Sequence, residues 1–300
     1  MPFPETLNAK PKVIFFTDFD GTITQQDTND YITDEHGMGL QARKIINDKI
    51  LDGHDSFRNG FQQMINSWKL SLPELISILE SYITLDPYFK DFVIWAKAHD
   101  IPIIVLSSGM VPVIAALLKK LLGDDLMKDI EIIANSTQLV SPGYSLDKPA
   151  TQGWNIKFHD DSSFGHDKSL TIRPYATAIA EMADENAKPT LLYAGDGISD
   201  LSAARETDLL FAKEGRDLVT YCDREGIPFT TFKDWNTILE ETKDIYEGKK
   251  SVRKAAEEGL VRHRTNSMSQ SARPQLRETY HRKMSMSQQG ALEELEDGSK

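Results

Sequence analysis

The chain has 300 residues, 40% of them hydrophobic, and carries 34 basic against 46 acidic side chains, a formal net charge of −12. That length supports one large domain or two modest ones, and so acidic a chain argues against binding nucleic acid or an anionic membrane through bulk charge. The longest apolar runs, IPIIVL and VPVIAALL, fall far short of the roughly 20 residues of a spanning helix; the N-terminus lacks the pattern of a signal peptide; and the lone Cys222 permits no intramolecular disulfide and fits a reducing compartment, which predicts a cytoplasmic placement with the nucleus left open.

In chain order, VIFFT (13–17) is a continuous apolar run, the pattern of a buried parallel strand. Residues from about Thr28 to Asp100 then read as helices. Ser71-Leu-Pro-Glu74 is a capping box with Pro in the first turn, and Asp86-Pro87 opens a further helix over YFKDFVIWAKAHD. From there the pattern alternates. IPIIVLS is a strand and VPVIAALLKKLLG a helix ending in Gly. EIIANSTQLV and WNIKFHD are two arms of a β excursion around a turn-rich segment. SLTIRPYATAIAEMADENA is mostly helix, with Pro174 limiting where it begins. PTLLYAG, LLFAK and PFTTF are strands, separated by the helices DLSAARETD and RDLVTYCDREG and closed by the helix DWNTILEETKDIYEG. Strands alternating with helices over short connections predict a parallel sheet covered on both faces, an α/β doubly wound fold. The helical block between the first two strands is then an insertion. From about Gly248 the composition turns to Ser, Gln, Arg and Glu with one aromatic, Tyr280. Such a segment cannot offset its ordering entropy by burial, so a disordered polar tail is expected over 248–300.

Ligands of doubly wound sheets bind beyond the carboxyl ends of the strands, and four such ends carry chemistry. They are Asp18-Phe-Asp20-Gly21-Thr22; VLSSGM, with Ser107, Ser108 and Gly109; Gly165-His-Asp-Lys168-Ser entering a helix; and YAGDGISD, with Asp196 and Asp200. Singly, each has an ordinary explanation: a solvated pair of carboxylates, a turn, a surface lysine, a helix cap. Asp18 and Asp20 share one strand face, where like charges raise one pKa. A hard cation such as Mg²⁺, which prefers oxygen ligands, would counter that repulsion, with Asp18 and Asp196 supplying carboxylates.

DFDGT, Ser107, Lys168 and GDGISD, in this order, resemble the four motifs of the haloacid dehalogenase superfamily, over residues 12 to about 245. The phosphoserine-phosphatase-like branch, with a helical cap after the first motif, is the most similar in flavour; FTDFDGTIT, SFRNGF, SSGM, FGHDKS and GDGISDLSAA also resemble uncharacterised fungal phosphatases of that branch. The resemblance implies a Rossmann-like core over 12–27 and 100–247 with a helical cap over 28–99. It implies a Mg²⁺-dependent phosphatase acting on a small phosphorylated metabolite, in which Asp18 is the nucleophile and forms an aspartyl-phosphate. Asp20 is then general acid and base and lends its backbone carbonyl to the metal. Ser107, Ser108 and backbone near Gly21, Thr22 and Gly109 hold the phosphoryl oxygens, Lys168 offsets charge, and Asp196 and Asp200 complete the metal site. Asp27 and Arg58 fall where phosphoserine phosphatases contact the substrate's amino-acid end, although Asp27 replaces the usual Glu and SSG the usual SGG, which puts phosphoserine itself in doubt. A plain cap role for Asp27 and an exposed helix position for Arg58 stand as alternatives. A phosphotransferase, a catalytically inactive binding protein of the same fold and a receiver-type phosphoacceptor domain are the rival readings. In the tail, RTNS and RKMS make Ser267 and Ser285 candidate kinase sites.

Overall fold

The structure, a computed structural model, describes residues 4–263 and 265. Strand β1 (Val13–Thr17) is followed by five helices, α1 (Thr28–His36), α2 (Leu40–Leu51), α3 (Phe57–Asn66), α4 (Leu72–Tyr82) and α5 (Phe89–Ala98). Strand β2 (Ile103–Met110), helices α6 (Val111–Leu122) and α7 (Asp124–Met127), and strands β3 (Ile130–Leu139) and β4 (Trp154–Lys157) come next. The chain continues as α8 (Lys168–Ala180), β5 (Thr190–Gly195), α9 (Leu201–Ala204), β6 (Leu209–Lys213), α10 (Asp217–Glu225), β7 (Thr230–Phe232) and α11 (Trp235–Tyr246).

The seven strands form one sheet in the order β4-β3-β2-β1-β5-β6-β7. All neighbours pair in parallel except β4, which runs antiparallel to β3 at the edge. The β excursion expected from EIIANSTQLV and WNIKFHD is this edge pair. β1 is buried throughout and divides its side chains by the period of two. Val13 and Phe15 join the core on one face; Ile14 and Phe16 join Tyr193 and Cys222 in the core on the other. The doubly wound α/β class expected from the sequence is therefore the observed one.

Three elements depart from the sequence expectations. The helix expected to be limited by Pro174 begins ahead of it, at Lys168, and runs through it. Asp167 caps it, its carboxylate accepting from the Ser169 amide at 3.0 Å, and that cap sets the start. The segment 28–99 does not behave as one block. Phe89 and Phe92 of α5 pack against Trp235 of α11, with ring centroids 4.6 and 4.8 Å apart, and Phe92 meets Phe15 of β1 at 4.7 Å. Helix α5 thus covers the sheet, leaving the first helices of the insertion beside the strand ends.

The chain also stays ordered past residue 248. Residues 252–263 form a helix whose Ala255 is buried and whose Val252, Ala256 and Leu260 pack on the core. Gly259 lies against Thr230 of β7, where a Cβ would come within 2.4 Å, and Arg262 donates to the Thr230 hydroxyl at 2.9 Å. The average composition of the tail hides this one apolar stripe at helical spacing, which covers the edge strand. Ser267 and Ser285 lie outside the described residues.

Candidate active site

The carboxyl ends of β1, β2 and β5, helices α1 and α2 and the connection between β6 and α10 meet at one cavity of about 350 Å³. It is lined on the core side by Asp18, Asp20, Ser107, Ser108, Gly109 and Asp196. That volume suits a small molecule.

Lys168, at the first position of α8, is fully buried and reaches back to Asp18 Oδ1 at 2.7 Å, Asp200 Oδ1 at 2.5 Å and the Tyr193 hydroxyl at 3.0 Å. Burial alone would lower its pKa, but the two carboxylates together raise it, so the ammonium stays charged. Burial pushes the Asp18 carboxyl up to about 7; Lys168 opposes that shift and the charge of Asp200 adds to it. Asp196 is raised well above the usual range by burial and by the charges of Asp18 and Asp200. Asp18, Asp196 and Asp200 each bring a carboxylate oxygen within 4.8 Å of the others. An all-oxygen set whose members repel one another suits a hard divalent cation.

Asp200 has a second commitment. Its Oδ1 accepts from Lys168 and from the Tyr193 hydroxyl at 2.6 Å, while its Oδ2 accepts the amides of Asp196 and Gly197 at 2.9 and 3.0 Å. It organises the loop that presents Asp196. The Asp20 side chain turns instead toward α1, accepting from the Thr28 amide at 2.8 Å and from Asn29 Nδ2 at 3.0 Å. Burial and the neighbouring Asp27 charge raise its pKa well above the usual range, against the pull of the Thr28 hydrogen bond.

The expected phosphate-binding residues separate into two groups. Ser107 Oγ accepts from the Gly109 amide at 2.9 Å, which leaves its own proton to donate, and the Ser108 hydroxyl has no protein partner among the described residues. Gly21 and Thr22 do not line the cavity, which corrects that expectation. The Gly21 amide already donates to Thr24 Oγ1, and its carbonyl accepts from Lys213. Thr22 is fully buried, and its carbonyl accepts from the Trp235 indole at 2.9 Å. Gly21 is needed for its backbone: its φ is +72°, and a Cβ there would lie 2.3 Å from Asp196 Oδ2.

The two expected substrate contacts also diverge. Asp27 lines the cavity and caps α1 at the same time, Oδ1 accepting from the amides of Asn29 and Asp30 at 2.8 Å. Arg58 does not reach the cavity, which corrects the substrate-binding expectation. Its guanidinium stacks on Phe158 at 4.4 Å and donates to the Asp160 carbonyl, while its amide donates to Ser163. It borders a separate cleft with Phe158 and Asp161. Arg58→Ala is accordingly expected to lower stability by about 1–2 kcal/mol, from the lost stacking and hydrogen bond. It should change kcat/KM for a natural substrate and for an aryl phosphate by the same factor. Thermal melts and paired kinetics test both; a selective rise in KM for the natural substrate would restore Arg58 as a substrate contact.

Sequence reasoning missed several residues of the site. Tyr193 holds Lys168 and Asp200. His166, pushed down to about 4 mainly by burial and hence neutral, bonds the Ser107 carbonyl through Nδ1 at 2.8 Å. Asn29 holds Asp20. Arg216 lines the cavity with its Nε 3.8 Å from Asp196. The one available signal was a phenol in a buried strand, since a buried Tyr hydroxyl needs a partner.

A family model described as haloacid dehalogenase-like hydrolase matches residues 15–205. The chain belongs to the haloacid dehalogenase-like hydrolases. Among curated relatives of this hydrolase are "Pdp3-interacting factor 1" of Schizosaccharomyces pombe, 46% identical over 79% of this chain and 97% of the relative, and "Polyol phosphate phosphatase PYP1" of Saccharomyces cerevisiae, 44% identical over 80% and 97%. Among solved structures, a phospho-aspartyl intermediate analogue of phosphoserine phosphatase aligns with a TM-score of 0.53 at 17% identity, over 77% of the hydrolase and 99% of that chain. That structural likeness speaks for the shared fold.

Proposed function

We propose that this hydrolase is a Mg²⁺-dependent phosphatase of small phosphorylated metabolites, working through an aspartyl-phosphate on Asp18. The observation that carries the reading is geometric. Asp18, ion-paired to Lys168, brings an oxygen within 4.8 Å of Asp196 and Asp200, and Asp20, two residues on, lines the same cavity with its carboxyl turned to α1.

Asp18 and Asp196 are the residues that would hold the cation, with Asp200 and Lys168 fixing their positions. A bound Mg²⁺ would draw the phosphoryl group in and offset the charge of the surrounding carboxylates. Asp18 attacks phosphorus, and the bond to the leaving oxygen breaks as Asp20 gives that oxygen its proton. Asp20, now a carboxylate, takes a proton from the water that attacks the acyl phosphate, which returns Asp18 and releases phosphate. The hydroxyls of Ser107 and Ser108 and the Lys168 ammonium stabilise charge on the phosphoryl oxygens.

The substrate class follows the Saccharomyces cerevisiae relative, whose name specifies a polyol phosphate. Arg58 is withdrawn from the cavity, so the residue that would bind an amino-acid carboxylate in a phosphoserine phosphatase is not there. The test is phosphate release from a panel of polyol, sugar and amino-acid phosphates, with Mg²⁺ or with EDTA. Metal-dependent release, fastest from a polyol phosphate, is expected. Absence of any metal-dependent release from the whole panel would overturn the phosphatase reading.

A further inference from the structure

Beyond the phosphate end, the cavity is walled by α1, α2 and the connection before α10. Helix α2 contributes Asn47, Ile50 and Leu51, which share a face with Arg43 at helical spacing. Arg43 is the anchor of that face. It forks onto Asp34 through Nε and Nη2 at 2.7 and 2.8 Å and reaches Asp30 Oδ2 through Nη1 at 2.5 Å. The Arg43 side chain is 11% exposed and that of Asp30 41%. The fork fixes α2 against α1 and fixes the rotamer of Asp30, whose Oδ1 accepts no protein hydrogen bond among the described residues. The Asn47 amide likewise has no protein partner among them.

We propose that Asp30 and Asn47 read the hydroxyl groups of the substrate's leaving end, and that this pair selects a neutral polyhydroxy chain over one bearing a carboxylate. The inference rests on the phosphatase reading for where the phosphoryl group sits, and it adds the residues that choose the alcohol. A hydroxyl donates and accepts. The carboxylate of Asp30 takes its proton, and the Asn47 amide donates to one hydroxyl oxygen and accepts from the next. Ile50 and Leu51 offer apolar surface to the C–H edges of the same chain. A carboxylate in this place would meet Asp27 and Asp30. Arg216, its Nε 3.8 Å from Asp196, is one cation set against these two carboxyl groups and Asp196. Recognition through hydroxyl-bonding groups discriminates strongly, because an analogue lacking the hydroxyls leaves those groups unpaired.

The test compares Asn47→Leu and Asp30→Asn with the parent protein on a pentitol phosphate, phosphoserine and a nitrophenyl phosphate. Each variant should lower the ratio of kcat/KM for the pentitol phosphate over that for the nitrophenyl phosphate by about tenfold. Asp30→Asn should also improve phosphoserine relative to the pentitol phosphate, since it removes a repelling charge. Asn47→Leu leaves the Arg43 fork untouched and so guards against a loss of folding in Asp30→Asn. An unchanged ratio in both variants, or a parent that prefers phosphoserine, would overturn the proposal. Calorimetry in the Asp18→Asn background separates the two levels, because no turnover is needed. If the parent hydrolyses nothing but Asn47→Leu still weakens pentitol phosphate binding about tenfold, the phosphatase reading falls and the hydroxyl-reading pair stands. Undiminished binding in that variant sinks the pair alone.

Discussion

Asp18→Asn is expected to abolish turnover, lowering kcat by on the order of a thousandfold or more, while leaving a folded protein. The amide keeps the size of the side chain and an oxygen for Lys168, but it cannot form the acyl phosphate. Folding should survive because the carboxyl is costly where it stands: burial holds it near pH 7 against the pull of Lys168. Asp20→Asn makes the informative contrast. It removes the proton donor and leaves the nucleophile, so a nitrophenyl phosphate, whose leaving group needs no proton, should still phosphorylate Asp18. An alkyl phosphate should not. Rapid-quench detection of the phosphorylated protein checks both. An Asp18→Asn protein as active as the parent would remove the nucleophile from the scheme and the aspartyl-phosphate with it.

Lys168→Met should cost stability as well as activity, and the cost should depend on pH. In the cation-free protein, removing the ammonium leaves Asp18 and Asp200 buried without their counter-charge. Breaking a buried pair from one side costs about 3–5 kcal/mol. The sign of the pH dependence follows from Asp18. Its folded pKa, about 7, lies above the ordinary carboxyl value of 3.8, so between those values the folded state binds a proton that the unfolded chain has lost. Stability therefore falls as pH rises through that window. Without Lys168 the lowering influence on Asp18 is gone, and the raised range extends upward. Chemical denaturation at pH 5 and pH 8 should show the larger loss at pH 8. A loss equal at both, or larger at pH 5, would mean that Asp18 is ionised throughout and that Lys168 does not govern it.

Where sequence and structure agree, the chemistry is local. VIFFT is apolar because it is buried on both faces, and its end carries Asp18 and Asp20 because a strand end is where backbone ceases to pair and side chains can converge. The capping box at Ser71 was legible because its donors and acceptors lie three residues apart. The helix over 252–263 was not, because its apolar stripe gains meaning only against β7, on which Gly259 and Arg262 close. The resemblance at SFRNGF suggested a substrate contact for Arg58, yet the side chain bends to Phe158 and Asp160, about a hundred residues away in sequence.

By itself, then, the sequence determined the alternation that makes the sheet, the order of the four motifs and the family to which they belong. Each of these is written in runs or motifs of a few residues, where spacing along the backbone is spacing in space. The tertiary structure alone decided the electrostatic surroundings of the carboxyl groups and the membership of the cavity. Burial and the Asp27 charge raise the Asp20 carboxyl well above its usual range, and Lys168 stays charged because Asp18 and Asp200 both reach it. Burial and charge act through space, and Lys168 meets Asp18 from 150 residues away and Asp200 from 32.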